Sequence, residues 1–171
     1  SEGSFRPSRI RQMAKAKGLD AEKALENIKI KRVFSTDNQL FMGERIEELF
    51  KQFPIKLIVI DSLMNCFRSE YIGRQTLPER QGKLNRHMKQ LAKMADIHNC
   101  VVYVTNQVSV RPDAFFGDPT VPVGGHILGH NATYRIYLRK SKRGRLAKLI
   151  DAPAIADKEC VFQITEDGVG D

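Results

Sequence analysis

Tryptophan is missing from this 171-residue chain, and cysteine is scarce, with three. Cys66, Cys100 and Cys160 stand alone, without the spacing of a zinc site or a redox pair. They are expected to be small core hydrophobes in a reducing compartment. No apolar run approaches the ~20 residues that a membrane-crossing helix requires. Nothing at the N-terminus has the charged, apolar and small-residue order of a signal peptide. A cytoplasmic location with no membrane partner follows as the expectation. Internal repeats and low-complexity tracts are also missing. So is the pattern Gly-x4-Gly-Lys-Ser/Thr, whose backbone amides and lysine cradle nucleotide phosphates.

What is there is a mixed, basic composition. Hydrophobic residues make up 42% and charged residues 28%, which suits a globular domain with a buried core. Lysine and arginine number 28 against 20 acids, for a net charge of +8. The excess is clustered, with Arg135, Arg139, Lys140, Lys142, Arg143, Arg145 and Lys148 close together. Such a cluster fits a polyanionic partner such as nucleic acid, because phosphate contacts release counterions. Charge by itself leaves a protein that binds no polyanion equally open.

The apolar spacing alternates between two periods. Ile10, Met13 and Ala14 give a helix over 7–17, started by Pro7 and stopped by Gly18. Asp20 is placed to cap a second short helix ending near Asn27. Ile28, Ile30 and Val33 interleave with cations and suggest a strand over 28–34. Met42, Ile46, Leu49, Phe50 and Phe53 return to helical spacing, before a buried-type strand at 57–60. A long helix over 79–98 carries Leu84, Met88, Leu91 and Ala95 on its inner stripe, and a strand over 100–105 follows. Three further strands at 133–138, 146–150 and 160–164 have the look of an antiparallel meander. The expected architecture is therefore α/β: a single domain, mainly parallel sheet flanked by helices, with a C-terminal antiparallel extension.

Open parallel sheets collect ligands outside the carboxyl ends of their strands. Asp61 and Gln107 stand at two such ends, after Leu57-Ile-Val-Ile60 and after Val101-Val-Tyr-Val-Thr-Asn106. A carboxylate there suits Mg²⁺ beside nucleotide phosphates, and a glutamine amide can orient water or sense a phosphoryl oxygen. Asp61 as a helix cap and Gln107 as a plain loop entry remain the alternatives. Two long loops share that edge. The first, 67–78, holds Arg68 and Arg74, with Arg80 just beyond. The second, 108–125, surrounds Phe115 and Phe116 with glycine and proline. Arginine beside aromatics suits single-stranded nucleic acid, while a hydrophobic anchor would account for the phenylalanines equally well.

Several longer strings carry more information. Phe5-Arg-Pro-Ser-Arg9, Ile58-Val-Ile-Asp-Ser62, Phe67-Arg-Ser-Glu-Tyr-Ile-Gly-Arg74 and Val104-Thr-Asn-Gln-Val108 closely resemble the archaeal RadA recombinases, of the RecA type. So do Arg111-Pro-Asp-Ala-Phe-Phe-Gly-Asp-Pro119, Val123-Gly-Gly-His-Ile-Leu-Gly-His130, Tyr137-Leu-Arg-Lys140 and Leu149-Ile-Asp-Ala-Pro153. The likeness runs through the whole chain and implies the C-terminal part of a RecA-type ATPase core, residues 1–171 forming one partial domain. It implies DNA-dependent ATP hydrolysis and strand exchange in homologous recombination and repair, by filaments on single-stranded DNA, in the nucleoid.

By that resemblance Glu2 activates the attacking water and Gln107 reports the γ-phosphate. Asp61 and Ser62 lie on the Mg²⁺ side of ATP, with Asp61 as the metal-side acid. Arg9 and Gln12 meet adenine, and His130, Asp151 and Pro153 touch the nucleotide of the neighbouring protomer. Arg68, Arg74, Arg80, Val108, Arg111, Phe115 and Phe116 meet DNA. ATP and Mg²⁺ are the implied cofactors. Single- and double-stranded DNA, filament neighbours and a complementary N-terminal RadA fragment are the implied partners. The family's helical N-terminal domain and strand–phosphate loop–helix unit have no counterpart in these residues, so the chain by itself is expected to be inactive, with open sheet edges. A non-catalytic DNA-binding or filament-capping paralogue is the alternative.

Overall fold

In the computed structural model, residues 3–110 and 120–170 are described. The elements run α1 (Pro7–Ala16), α2 (Ala21–Glu26), α3 (Thr36–Phe50), β1 (Leu57–Ile60), α4 (Asn65–Glu70), α5 (Leu77–His98) and β2 (Val101–Val104). They continue with β3 (Val108–Val110), β4 (Thr120–Pro122), α6 (His126–Asn131), β5 (Arg135–Ser141), β6 (Gly144–Asp151), β7 (Glu159–Thr165) and β8 (Gly168–Gly170). They fall into two compact units, one built on Arg32–Asn131 and the other on Ser4–Lys31 with residues 132–170. The α/β class expected from the sequence is the one observed.

In the first unit β1 and β2 pair in parallel, from Leu57 opposite Val101 to Ile60 opposite Val104. Parallel strands need a long crossover, and the 22-residue α5 supplies most of it. Its buried residues Leu84, His87, Met88, Leu91 and Met94 recur at the helical period, and the four apolar ones pack with Leu63, Met64, Phe67 and Leu128 into one core. Asn99 closes α5 at φ 46°, the left-handed region that asparagine tolerates better than most side chains. Ser35 caps α3 by accepting from the Asn38 amide at 3.0 Å. Glu70 of α4 accepts from the Thr36 amide at 2.8 Å, tying the first turn of α3 to the helix after β1.

The second unit joins a helix pair to a meander. Asp20 caps α2 as expected, accepting from the amides of Glu22 and Lys23 at 3.0 and 3.1 Å. Arg11 of α1 pairs with Glu22 of α2 at 2.7 Å. Strands β5, β6, β7 and β8 follow one another antiparallel in sheet order. Gly144 opens β6 at φ 141°, and a Cβ there would lie 2.7 Å from the Phe162 carbonyl oxygen. Only glycine fits that turn.

Several sequence expectations are corrected. Residues 28–34 are not a strand. Ile28 and Ile30 are exposed and Phe34 is 83% exposed, and a strand persists only where a neighbour completes its ladder. Within the second loop Val108–Val110 and Thr120–Pro122 are strands, paired antiparallel. The first loop begins as helix α4. Cys66 is a core residue, whereas Cys160 is exposed on β7. Burial raises the Cys66 thiol above its ordinary pKa, with the Glu70 charge adding to the shift, so it behaves as a neutral hydrophobe.

Candidate functional site

The carboxyl ends of β1 and β2 are stitched together by backbone and side chain. The register sets Ile60 beside Val104, so the residues just beyond, Asp61 and Thr105, come side by side. The Thr105 amide donates to the Ile60 carbonyl at 3.1 Å, and the Leu63 amide donates to the Thr105 carbonyl at 3.0 Å. The Thr105 hydroxyl donates to Asp61 Oδ1 at 2.6 Å. Asp61 therefore has a fixed carboxylate on the strand end. It does not cap α4, whose N-cap is Met64. Ser62, the next residue, is buried.

Gln107 lies two residues past Thr105, and its position is set from both sides. Its carbonyl accepts from the Val123 amide at 3.0 Å, and the neighbouring Asn106 amide group donates to the Val123 carbonyl at 2.6 Å. The β3–β4 hairpin thus begins under direct control of this residue. Its own side chain points elsewhere: Oε1 accepts a hydrogen bond from the guanidinium of Arg68 on α4. Neighbouring Cys66 and Phe67 are buried, so α4 is anchored while the Arg68 side chain stays exposed. Asp61, Ser62, Gln107 and Arg68 are thereby brought into one cluster. Thr105 and Asn106 belong to it and were not foreseen. The signal for Thr105 is a hydroxyl one residue past β2, readable only once the register is known.

The remaining expected residues are placed as follows. Arg74 is exposed in the turn between α4 and α5. Arg80 is partly buried in α5, and among the described residues its Nε has no hydrogen-bond partner. Val108 is exposed at the start of β3. His130 is exposed on α6, its ring centroid 6.2 Å from that of His126. In the second unit Arg9 donates to Gln12 Oε1 at 2.9 Å and to the main-chain carbonyls of Thr165 and Glu166. Asp151 accepts from Arg135 Nε and Nη2 at 3.0 and 2.7 Å, within the β5–β6 pair, and Pro153 is exposed. Glu2, Arg111, Phe115 and Phe116 lie outside the described residues.

A metal cage is not built here. Among the described residues no three His, Cys, Asp or Glu side chains converge. One carboxylate beside a hydroxyl does suit Mg²⁺, which keeps most of its waters and takes its remaining ligands from phosphate. Asp61 with the Thr105 hydroxyl fits that donor set. No described helix is long and apolar enough to cross a membrane.

Parallel strands joined by a helical crossover, with polar side chains gathered at their carboxyl ends, define an open-sheet α/β protein whose candidate site lies at that edge. The chain belongs to the Rad51 family, whose model matches residues 1–171. It is 52% identical over 173 residues to the DNA repair and recombination protein RadA of Methanococcus voltae. It is 51% identical to the RadA proteins of Methanococcus maripaludis strains C5 and C6. Each match covers 100% of this chain and 54% of the relative, so the chain spans about half the length of these proteins.

Proposed function

We propose that the chain is the part of a DNA-dependent, ATP-hydrolysing recombinase in which the nucleotide and DNA-binding elements meet. The observation that carries this reading is the cluster at the β1 and β2 ends, in a chain of the Rad51 family. Mg²⁺ held beside Asp61 would screen the charge of ATP phosphates. Glu2 orients and deprotonates the attacking water, and Gln107 senses the γ-phosphate through its amide. Arg68 and Arg74 meet the phosphates of single-stranded DNA, and copies of the chain line up along that strand as a filament. Arg9 and Gln12 hold the base, and His130, Asp151 and Pro153 serve the neighbouring copy's nucleotide.

The 171 residues contain no phosphate loop, so turnover needs a segment that carries one. Alone, the chain is silent as an ATPase. Mixed with the complementary N-terminal portion of a RadA protein, it hydrolyses ATP in the presence of single-stranded DNA. In that mixture Glu2→Gln stops turnover while nucleotide binding persists. A mixture that forms a complex but never hydrolyses ATP overturns the catalytic reading in favour of a binding or capping role.

A further inference from the structure

We infer that Gln107 acts as a clamp on Arg68, so that a nucleic-acid phosphate and the Gln107 amide compete for the same guanidinium. The inference rests on the reading above in which Arg68 meets DNA phosphate. It goes beyond it by assigning Gln107 a direct partner in the first loop.

The geometry points to competition. Arg68 sits near the end of α4, one residue past the buried Phe67, so the helix cannot travel with its side chain. The guanidinium is bound to Gln107 Oε1, with both residues exposed. Gln107 has its backbone fixed by Val123 and by its place just past β2. What can move is therefore two side chains on two fixed backbones. An arginine donating to a neutral amide oxygen gives that bond up readily for a phosphate oxygen, because a charged acceptor makes a shorter and stronger pairing. Conversely, any ligand that draws the Gln107 amide toward itself leaves Arg68 without this acceptor and available to a strand. The same glutamine holds the Val123 amide through its main-chain carbonyl, so one residue touches both loops at this edge, the first by its side chain and the second by its backbone.

The competition predicts opposite effects from two substitutions at one position. Single-stranded oligonucleotide binding to the chain is measured by fluorescence anisotropy across a salt series. Gln107→Ala removes the acceptor and tightens binding by roughly threefold or more, the scale of one ordinary net hydrogen bond between exposed groups. Gln107→Glu holds Arg68 in an ion pair and weakens binding. Arg68→Ala weakens binding and lowers the salt slope by about 0.7, the single-strand value for one phosphate contact. In the Arg68→Ala background, Gln107→Ala changes nothing further. If Arg68→Ala acts as stated but Gln107→Ala leaves affinity unchanged, or acts equally in both backgrounds, the clamp is wrong and the DNA contact stands. If Arg68→Ala changes neither affinity nor slope, the DNA contact itself is wrong and the clamp falls with it.

Discussion

Buried polar side chains without partners are uncommon, and His87 is one. It is 1% exposed on the inner stripe of α5, and neither ring nitrogen has a hydrogen-bond partner among the described residues. Burial lowers its pKa from 6.5 to about 4. The folded state thus keeps a neutral ring where the unfolded chain takes up a proton. Stability rises with pH wherever the unfolded state binds more protons, so it must be lost as pH falls from 6.5 toward about 4. The loss reaches up to about 3 kcal/mol, from the ~1.4 kcal/mol carried by each pKa unit. Urea denaturation at intervals between those pH values should show this slope, and His87→Leu should flatten it. An unchanged slope in the variant would place the acid sensitivity elsewhere.

Helix α5 carries a glycine that its packing does not require, and α3 carries one that it does. At Gly82 an added Cβ meets nothing within 4 Å. At Gly43 it would lie 3.2 Å from His87 Cε1 and 3.4 Å from Gln90 Oε1. Glycine in a helix interior costs ~1 kcal/mol relative to alanine, through backbone entropy. Gly82→Ala should therefore raise stability by about 0.5–1 kcal/mol. Gly43→Ala should gain less or lose outright, because the buried His87 ring must give by a few tenths of an ångström to admit the methyl group. Thermal melts of the two variants side by side test whether close approach at Gly43 is the reason for the difference.

The same elements show what a sequence reveals at this scale. Long helices were legible because 84, 88 and 91 repeat the helical period, and α2 was legible because Asp20 is a chemical cap. The meander was legible from three apolar strands, although β8, three residues long, was not. Residues 28–34 alternate without forming a strand, because alternation gives only a strand's potential, while its existence depends on a neighbour. Asp61 and Gln107 could be placed on one edge because each ends an apolar run. Their partners could not, since Thr105 reaches Asp61 through the register and Arg68 reaches Gln107 through the fold of α4. Site residues were visible in the sequence as types, and the bonds between them were not.

At the scale of the whole molecule, the most telling feature is an apolar face that the described residues leave uncovered. Leu57 and Val59 on β1 are 57% and 56% exposed, and their cross-strand partners Val101 and Tyr103 are 61% and 48% exposed. The alternate residue Ile58 is in the core, so the strand has the buried-on-both-faces composition of a parallel sheet with one face open. Covering the roughly half of each side chain that is still exposed contributes on the order of 1 kcal/mol each. A partner that seats on all four therefore has a strong reason to bind. In the proposed assembly with an N-terminal RadA portion, that portion is the cover. The missing tryptophan makes the test direct. Tyr103→Trp places one indole on the open face of a chain that has no other. Its emission should be that of a solvated indole in the chain alone and should shift to the blue when a tryptophan-free N-terminal RadA portion is added. Val59→Lys in the same background should weaken that shift, because a lysine at the neighbouring strand's paired position puts an ammonium into the contact. A complex that forms with the indole still solvated would show that the portion binds elsewhere and that this face belongs to another partner.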